Sequence, residues 1–315
     1  MGRWLGLLAA VTASVALLAA PQNPPATPPP PTESPQSPAP ATPPAVTPPE
    51  AVTLVGAGDI ANCTIAGGSG AVATGRLLDQ IPGTIFTLGD HAYLSGTAEE
   101  FRDCYGPRWG RFKDRTRPSP GNHDYLTNNA QAYYDFFGDA AGPKGKGYYS
   151  YDLGTWHIIS LNSTIDASGR SEQMKWLKDD LAAHHTACML AYWHIPVFSS
   201  GPHGQDLREA AHMLDVWHAL YDSGVDVVVN GHDHLYERYF PQDPNAIRGP
   251  AGITEYIVGT GGAPLYDFGP TAANSANKFK TYGVLYFTLR DVGWDSVFVE
   301  AGTEARLDFT SSLCH

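Results

Sequence analysis

The chain is 315 residues long and carries 20 Lys and Arg against 32 Asp and Glu, a formal charge of −12. That acidic balance excludes a nucleic-acid binder and a polybasic membrane-surface protein, because phosphate backbones and anionic lipids would not attract it. Only 17% of residues are charged, glycine (33) and proline (26) are abundant, and the proline excess is local.

Residues 1–20 hold one positive charge, Arg3, then an apolar run from Leu5 to Leu18 and the small residues Ala19 and Ala20 ahead of Pro21. This is the layout of a secretory signal peptide, with an uncleaved anchor as the competing reading. The apolar run is shorter than the ~20 residues that cross a bilayer, so no stable membrane insertion is expected after cleavage. Residues 21–50 contain 14 of the 26 prolines, among Ala, Thr, Ser and Gln. Such a stretch cannot bury enough apolar surface to offset its ordering entropy, and it reads as a disordered linker. The remainder, 51–315, is large enough to fold around its own core. A secreted protein is expected: extracellular, periplasmic or at the cell surface.

Within 51–315, Val52 to Gly56, Thr84 to Leu88, Trp156 to Leu161, Met189 to Trp193 and Val225 to Val229 are β-rich and apolar on both faces, as strands covered on each side are. Between them, Gly70 to Gln80, Ala98 to Trp109, Thr127 to Phe137, Ser171 to His184 and Asp206 to Ser223 carry apolar residues at helical spacing. From Ile253 onward strand follows strand: Ile253 to Val258, Tyr282 to Leu289 and Trp294 to Val299. The order predicts an α/β layered sandwich. An even cysteine number after an export signal predicts disulfides. Cys63 is expected to pair with Cys104, whereas Cys188 reads equally as a buried thiol or as the partner of Cys314.

The chemistry collects at strand ends. Val52 to Gly58 delivers Asp59; Thr84 to Gly89 delivers Asp90; the extended run Arg117 to Gly121 delivers Asn122, His123 and Asp124; Met189 to Trp193 delivers His194; Val225 to Gly231 delivers His232 and His234. In open α/β sheets, ligands bind beyond the carboxyl ends of the strands, so these groups are expected on one rim. A single Asp there is commonly a helix cap, but a series of carboxylate, amide and imidazole groups suits divalent or trivalent metal ions.

The ordered series Gly58-Asp59, Gly89-Asp90-His91-Ala92-Tyr93, Gly121-Asn122-His123-Asp124, Tyr192-Trp193-His194 and Gly231-His232-Asp233-His234 resembles the motif set of the calcineurin-like metallophosphoesterases, in particular the purple acid phosphatase branch. The resemblance implies a four-layer αββα sandwich of two mixed sheets flanked by helices, with residues 51–315 as the catalytic domain. It also implies a two-metal centre. Asp90 would bridge the ions, Asp59, Tyr93 and His234 would complete the first site, and Asn122, His194 and His232 the second. Relatives outside the branch carry a His two residues after the first Asp, where this chain has Ala61. Tyr93 would supply the missing donor, and a phenolate favours iron at the first site. The second would take zinc, manganese or iron.

By the same resemblance His123 would face the substrate, where it would hydrogen-bond a phosphoryl oxygen or, as His203 also could, protonate the leaving group, with Asp124 orienting it. His203, in the loop Ser199 to Gly204, reads either as a second substrate-facing His or as a solvent-exposed one; His91 reads as pocket-lining or outward-facing. Gly259-Thr260-Gly261-Gly262 precedes no helix, so it is read as a turn bordering the site and not as a nucleotide loop. The expected activity is hydrolysis of small phosphate monoesters by in-line attack of a metal-activated hydroxide. Phosphodiester cleavage is the enzymatic alternative, and a catalytically silent surface binding module the non-enzymatic one.

Overall fold

The computed structural model describes residues 26–27, 51–184 and 186–315. The expected signal peptide and nearly all of the proline-rich linker lie outside the described residues. No helix among the described residues is long and apolar enough to cross a membrane.

The strands in chain order are β1 (Val52–Ala57), β2 (Thr84–Leu88), β3 (Thr116–Ser119), β4 (Tyr149–Leu153), β5 (Trp156–Ser160), β6 (Cys188–Trp193), β7 (Val227–Asn230), β8 (Tyr236–Tyr239), β9 (Thr254–Val258), β10 (Ser275–Phe279), β11 (Gly283–Arg290), β12 (Gly293–Glu300) and β13 (Arg306–Leu313). They form a six-stranded sheet in the order β13-β12-β11-β1-β2-β3 and a seven-stranded sheet in the order β10-β8-β9-β7-β6-β5-β4. Each is mixed. β1, β2 and β3 run parallel while β11 to β13 are antiparallel; β5, β6, β7 and β9 run parallel, with antiparallel strands at both edges.

Aromatic side chains from the two sheets meet in the middle layer. Phe86 packs against Tyr192 at 5.9 Å, Phe287 meets Tyr256 edge-on at 5.4 Å, and Phe298 stacks on Tyr236 at 4.0 Å. A second core covers the outer face of the larger sheet, where Met174 and Leu177 of the helix Glu172–Ala183 and Val216 and Trp217 of the helix Leu214–Asp222 bury against Met189, Ala191 and Val228. The helix Ser69–Gln80 turns Leu77 and Leu78 into the first core. These layers are the sandwich expected from the sequence.

Both disulfides are present, Cys63 to Cys104 and Cys188 to Cys314, which resolves the open reading of Cys188 in favour of the bond. The second ties the chain's end to the start of β6 across 126 residues, a closure worth about 5 kcal/mol in the chain-entropy account. Asn62 and Asn162, each opening a glycosylation sequon, are buried and hydrogen-bonded within the fold.

Candidate metal centre

β1, β2 and β3 of one sheet and β6 and β7 of the other end on the same rim. Beyond β1 the chain continues alongside the β2 exit, with Asp59 N donating to Gly89 O (3.1 Å), Ile60 N to Asp90 O (2.9 Å) and Ala61 N to His91 O (3.1 Å). The larger sheet joins the same rim through Val258 O at the end of β9, which accepts from Gly58 N (2.9 Å). The turns are sharp enough to put Asp59, Asp90 and His232 at φ of 60°, 51° and 70°, a conformation that costs a non-glycine residue of order 1 kcal/mol or more. Gly121 has no alternative: a Cβ there would lie 2.2 Å from Asp90 Oδ1.

The predicted ligands converge as two groups sharing Asp90. In the first, Tyr93 Oη is 2.9 Å from Asp59 Oδ1, 3.0 Å from Asp90 Oδ2 and 3.0 Å from His234 Nε2, while His234 Nε2 is 3.2 Å from Asp59 Oδ1. In the second, His194 Nε2 is 2.8 Å from Asn122 Oδ1, 3.1 Å from His232 Nδ1 and 3.4 Å from Asp90 Oδ2. Donors each ~2.0 to 2.2 Å from one ion stand about 3 Å apart, so both groups have the spacing of a coordination shell. A single oxygen, Asp90 Oδ2, faces both. The residues fit a two-ion centre.

Surrounding groups fix the donors. His194 Nδ1 lies 2.6 Å from Leu88 O and His234 Nδ1 lies 2.7 Å from Pro264 O; each ring so held turns its Nε2 inward, as metal-binding histidines are oriented. Asp59 Oδ2 accepts from His232 N (2.9 Å), leaving Oδ1 for the site. Tyr93 N donates to Ala61 O (2.9 Å), so Ala61 anchors the backbone of the tyrosine that reaches Asp59.

The centre is buried and strongly polarised. Burial alone would raise the Asp59 and Asp90 carboxyls, but the imidazoles of His234 and His194 hold them below the ordinary range. Burial opposes the charge on His194, yet Asp90 beside it lifts its pKa to about 9; Asp59 lifts His234 in the same way against burial. Burial, and then the charges of Asp59 and Asp90, push the Tyr93 hydroxyl well above its usual value. The two carboxylates thus favour positive charge at this place, on His194 and His234 in the absence of metal.

His123 donates its backbone N–H to Asp90 Oδ1 (2.8 Å), and its Nδ1 lies 2.6 Å from Leu94 O. Its Nε2 points to the centre, 3.9 Å from Asp90 Oδ2, on a partly exposed side chain. The expectation that Asp124 orients His123 is corrected. Asp124 is buried and accepts from Asp90 N, His91 N and Gly121 N, and its Oδ2 lies 2.9 Å from His91 Nδ1. It thus holds the loop that presents Asp90, while the His123 ring is set by Leu94. His91 neither lines the pocket nor faces outward: it is buried between Asp124 and Thr87 Oγ1 (2.7 Å), against Phe137 and Tyr105.

His203 borders the centre, its Nδ1 2.9 Å from Asp233 Oδ1 and its ring 4.1 Å from that of His232. Gly259 to Gly262 form the expected bordering turn, with Gly261 N donating to Gly58 O and Ala263 N to Asp59 O, both at 2.8 Å. Sequence reasoning missed Tyr266, which stacks on His234 at 4.0 Å and lies 5.7 Å from His203. Burial and the nearby carboxylates push its hydroxyl up to about 12. Only its place shortly after the glycine turn could have signalled it.

The calcineurin-like phosphoesterase family model matches residues 50–236. Purple acid phosphatase 15 of Arabidopsis thaliana is 31% identical over 222 residues, covering 59% of this chain and 41% of that protein. Among solved structures, the purple acid phosphatase PPD1 from yellow lupin (Lupinus luteus) superposes with a TM-score of 0.71 at 19% identity, over 84% of this chain and 54% of that one. GAP50, the anchor in the inner membrane complex of Plasmodium, superposes with a TM-score of 0.64 at 15% identity, over 84% of this chain and 89% of that one. The chain spans about half the length or less of the curated relatives it matches.

Proposed function

We propose that this chain, which belongs to the calcineurin-like phosphoesterase family and resembles its purple acid phosphatase branch, is a secreted, metal-dependent phosphatase acting on small phosphate monoesters. Residues 1–20 would be the signal peptide, 21–50 the linker and 51–315 the catalytic domain. The observation that carries the reading is Asp90 Oδ2, which stands 3.0 Å from Tyr93 Oη on one side and 3.4 Å from His194 Nε2 on the other.

Asp59, Asp90, Tyr93 and His234 would hold iron, and Asp90, Asn122, His194 and His232 a divalent zinc, manganese or iron ion. Such a pair would supply Lewis acidity, a lowered water pKa and neutralisation of the charge that develops on the phosphoryl and leaving-group oxygens. The protein supplies position and protons. His123 and His203 both border the rim: His123 lies beside Tyr93 and is held by Leu94 O, with its Nε2 turned inward, and His203 lies beside His232 and is held by Asp233. His123 Nε2 is placed to give a proton to a departing alkoxide, and Asn122 and His123 are placed to hold phosphoryl oxygens. Tyr266 walls the site beside His234 and His203.

A parallel assay of the purified chain on p-nitrophenyl phosphate and bis(p-nitrophenyl) phosphate tests the reading. Faster turnover of the monoester is expected. Preference for the diester would shift the assignment to a phosphodiesterase, and no turnover of either by metal-loaded protein would leave a binding module.

A further inference from the structure

A second constellation of metal-binding side chains lies at the other end of the larger sheet. His157 is the second residue of β5, buried to 1% exposure, with its Nδ1 2.9 Å from Asp152 Oδ1 and its Nε2 2.9 Å from Asp180 Oδ2. Asp180 is in the last turn of the helix Glu172–Ala183, and His184 follows it by one helical turn, Nδ1 3.5 Å from Asp180 Oδ1. Ligand atoms of His157, Asp180 and His184 all fall within 4.8 Å of one another. His157 pairs with Met189 on the parallel β6, and His194 is five residues farther along. At ~3.3 Å per residue the two groups are therefore roughly 16 Å apart, too far for this one to take part in the chemistry at the rim.

The arrangement has the parts of a metal site. Asp152 at Nδ1 of a buried His, with Nε2 turned toward other donors, is the carboxylate and histidine pairing that orients a ligand ring. Ser150 Oγ donates to Asp180 Oδ1 (2.7 Å) and fixes the second donor, leaving Oδ2 toward His157. The separation of 2.9 Å between His157 Nε2 and Asp180 Oδ2 is close to that of two ligands on one zinc ion. His184 stacks on His157, ring centroids 3.9 Å apart and planes 14° from parallel, and an ion cannot lie in two parallel, offset ring planes. Binding therefore requires the His184 ring to turn. Its side chain is 36% exposed and borders a cleft of about 470 Å³ lined also by Leu181, Thr186, Met189 and Ser223, which supplies both the room and the entry path.

We propose that His157, Asp180 and His184 form a separate site for a zinc-class divalent ion, oriented by Asp152 and Ser150, with its remaining coordination open to the cleft. Two imidazoles and one carboxylate suit zinc over calcium or magnesium, which take oxygen ligands. The bound ion would clamp β5 to the end of the helix Glu172–Ala183.

The test is elemental analysis of the purified holoenzyme after equilibration with micromolar zinc chloride and desalting, for the wild type, His184→Ala and Asp180→Asn. The wild type is expected to hold one more zinc per chain than either variant, and His184→Ala to lose more than tenfold in affinity for that ion with turnover of p-nitrophenyl phosphate unchanged. Zinc should also raise the melting temperature of the wild type and not that of His184→Ala. Because His184 is partly exposed, its replacement keeps the test valid if Asp180→Asn does not fold. Equal zinc uptake by the wild type and His184→Ala would overturn the proposal.

Discussion

The Tyr93 hydroxyl reaches Asp59 Oδ1 at 2.9 Å, completing the first ligand group in a chain that carries Ala61 two residues after Asp59. A phenolate there is a hard anionic donor that favours a trivalent ion and, bound to ferric iron, absorbs visible light. Tyr93→Phe should bleach the protein while retaining much of its activity, since Asp90 and the second ligand group remain. Absorption spectra with iron analysis check this, and a colourless, iron-free wild type grown with ample iron would remove the assignment.

His123 touches the centre through its backbone but is not among the converging donors. His123→Ala should keep both ions and the fold while turnover falls by about 10² to 10⁴, the range for a positioned acid or base. The loss should shrink for substrates with good leaving groups. The same leaving-group series on His203→Ala identifies which of the two gives the proton, because only the donor's loss should vary with leaving-group pKa.

Asp124 predicts a different phenotype. Removing its side chain strands the buried N–H groups of Asp90, His91 and Gly121, each at a cost of about 1 to 3 kcal/mol. Asp124→Ala should therefore melt markedly lower than the wild type and bind metal more weakly, although Asp124 is not among the converging donors. Calorimetry and metal analysis together distinguish this from the metal-retaining defect expected of His123→Ala.

The metal-free protein should respond to pH with a definite sign. The pKa of His194 is raised from its ordinary 6.5 to about 9, so the stability it contributes is fully present below pH 6.5 and lost as pH rises through about 9. The melting temperature of stripped protein should fall across that window, and that of loaded protein should not. Because ions must displace the His194 and His234 protons, loading should release protons below pH 9, and affinity should rise with pH. A pH-stat record showing no release at pH 7 would contradict the electrostatic description.

Much of this was legible in the sequence because the central strands are buried on both faces and read as apolar runs; Thr84–Leu88 is found at its predicted bounds. Most strands that escaped have a pattern diluted by solvent; Tyr236–Tyr239 is largely buried but is only four residues long, with Glu237 and Arg238 between its tyrosines. Ser275–Phe279 is a polar edge strand, Arg306–Leu313 is half-exposed, and Tyr149–Leu153 lies at the opposite edge. The predicted helix from Asp206 to Ser223 is interrupted at Met213, whose φ of −100° and ψ of 5° are not helical. That break has no composition signal.

The convergence of the ligands was legible because side-chain chemistry follows a strand end in each cluster, and a glycine in all but that of His194, which follows Trp193. The true role of Asp124 was not, because its partners are mainly backbone N–H groups, which carry no residue type to read. Tyr266 acts by stacking from a distant loop, and the Cys188 to Cys314 bond joins positions 126 apart; neither leaves a local pattern.

If one carboxylate serves both ions, the metal content of Asp90→Asn must show it. With Asp90 Oδ2 facing Tyr93 on one side and His194 on the other, elemental analysis of the folded variant should show both ions lost together, against loss of chiefly one in His194→Ala. An Asp90→Asn protein that still held two tightly bound ions per chain would contradict the shared centre.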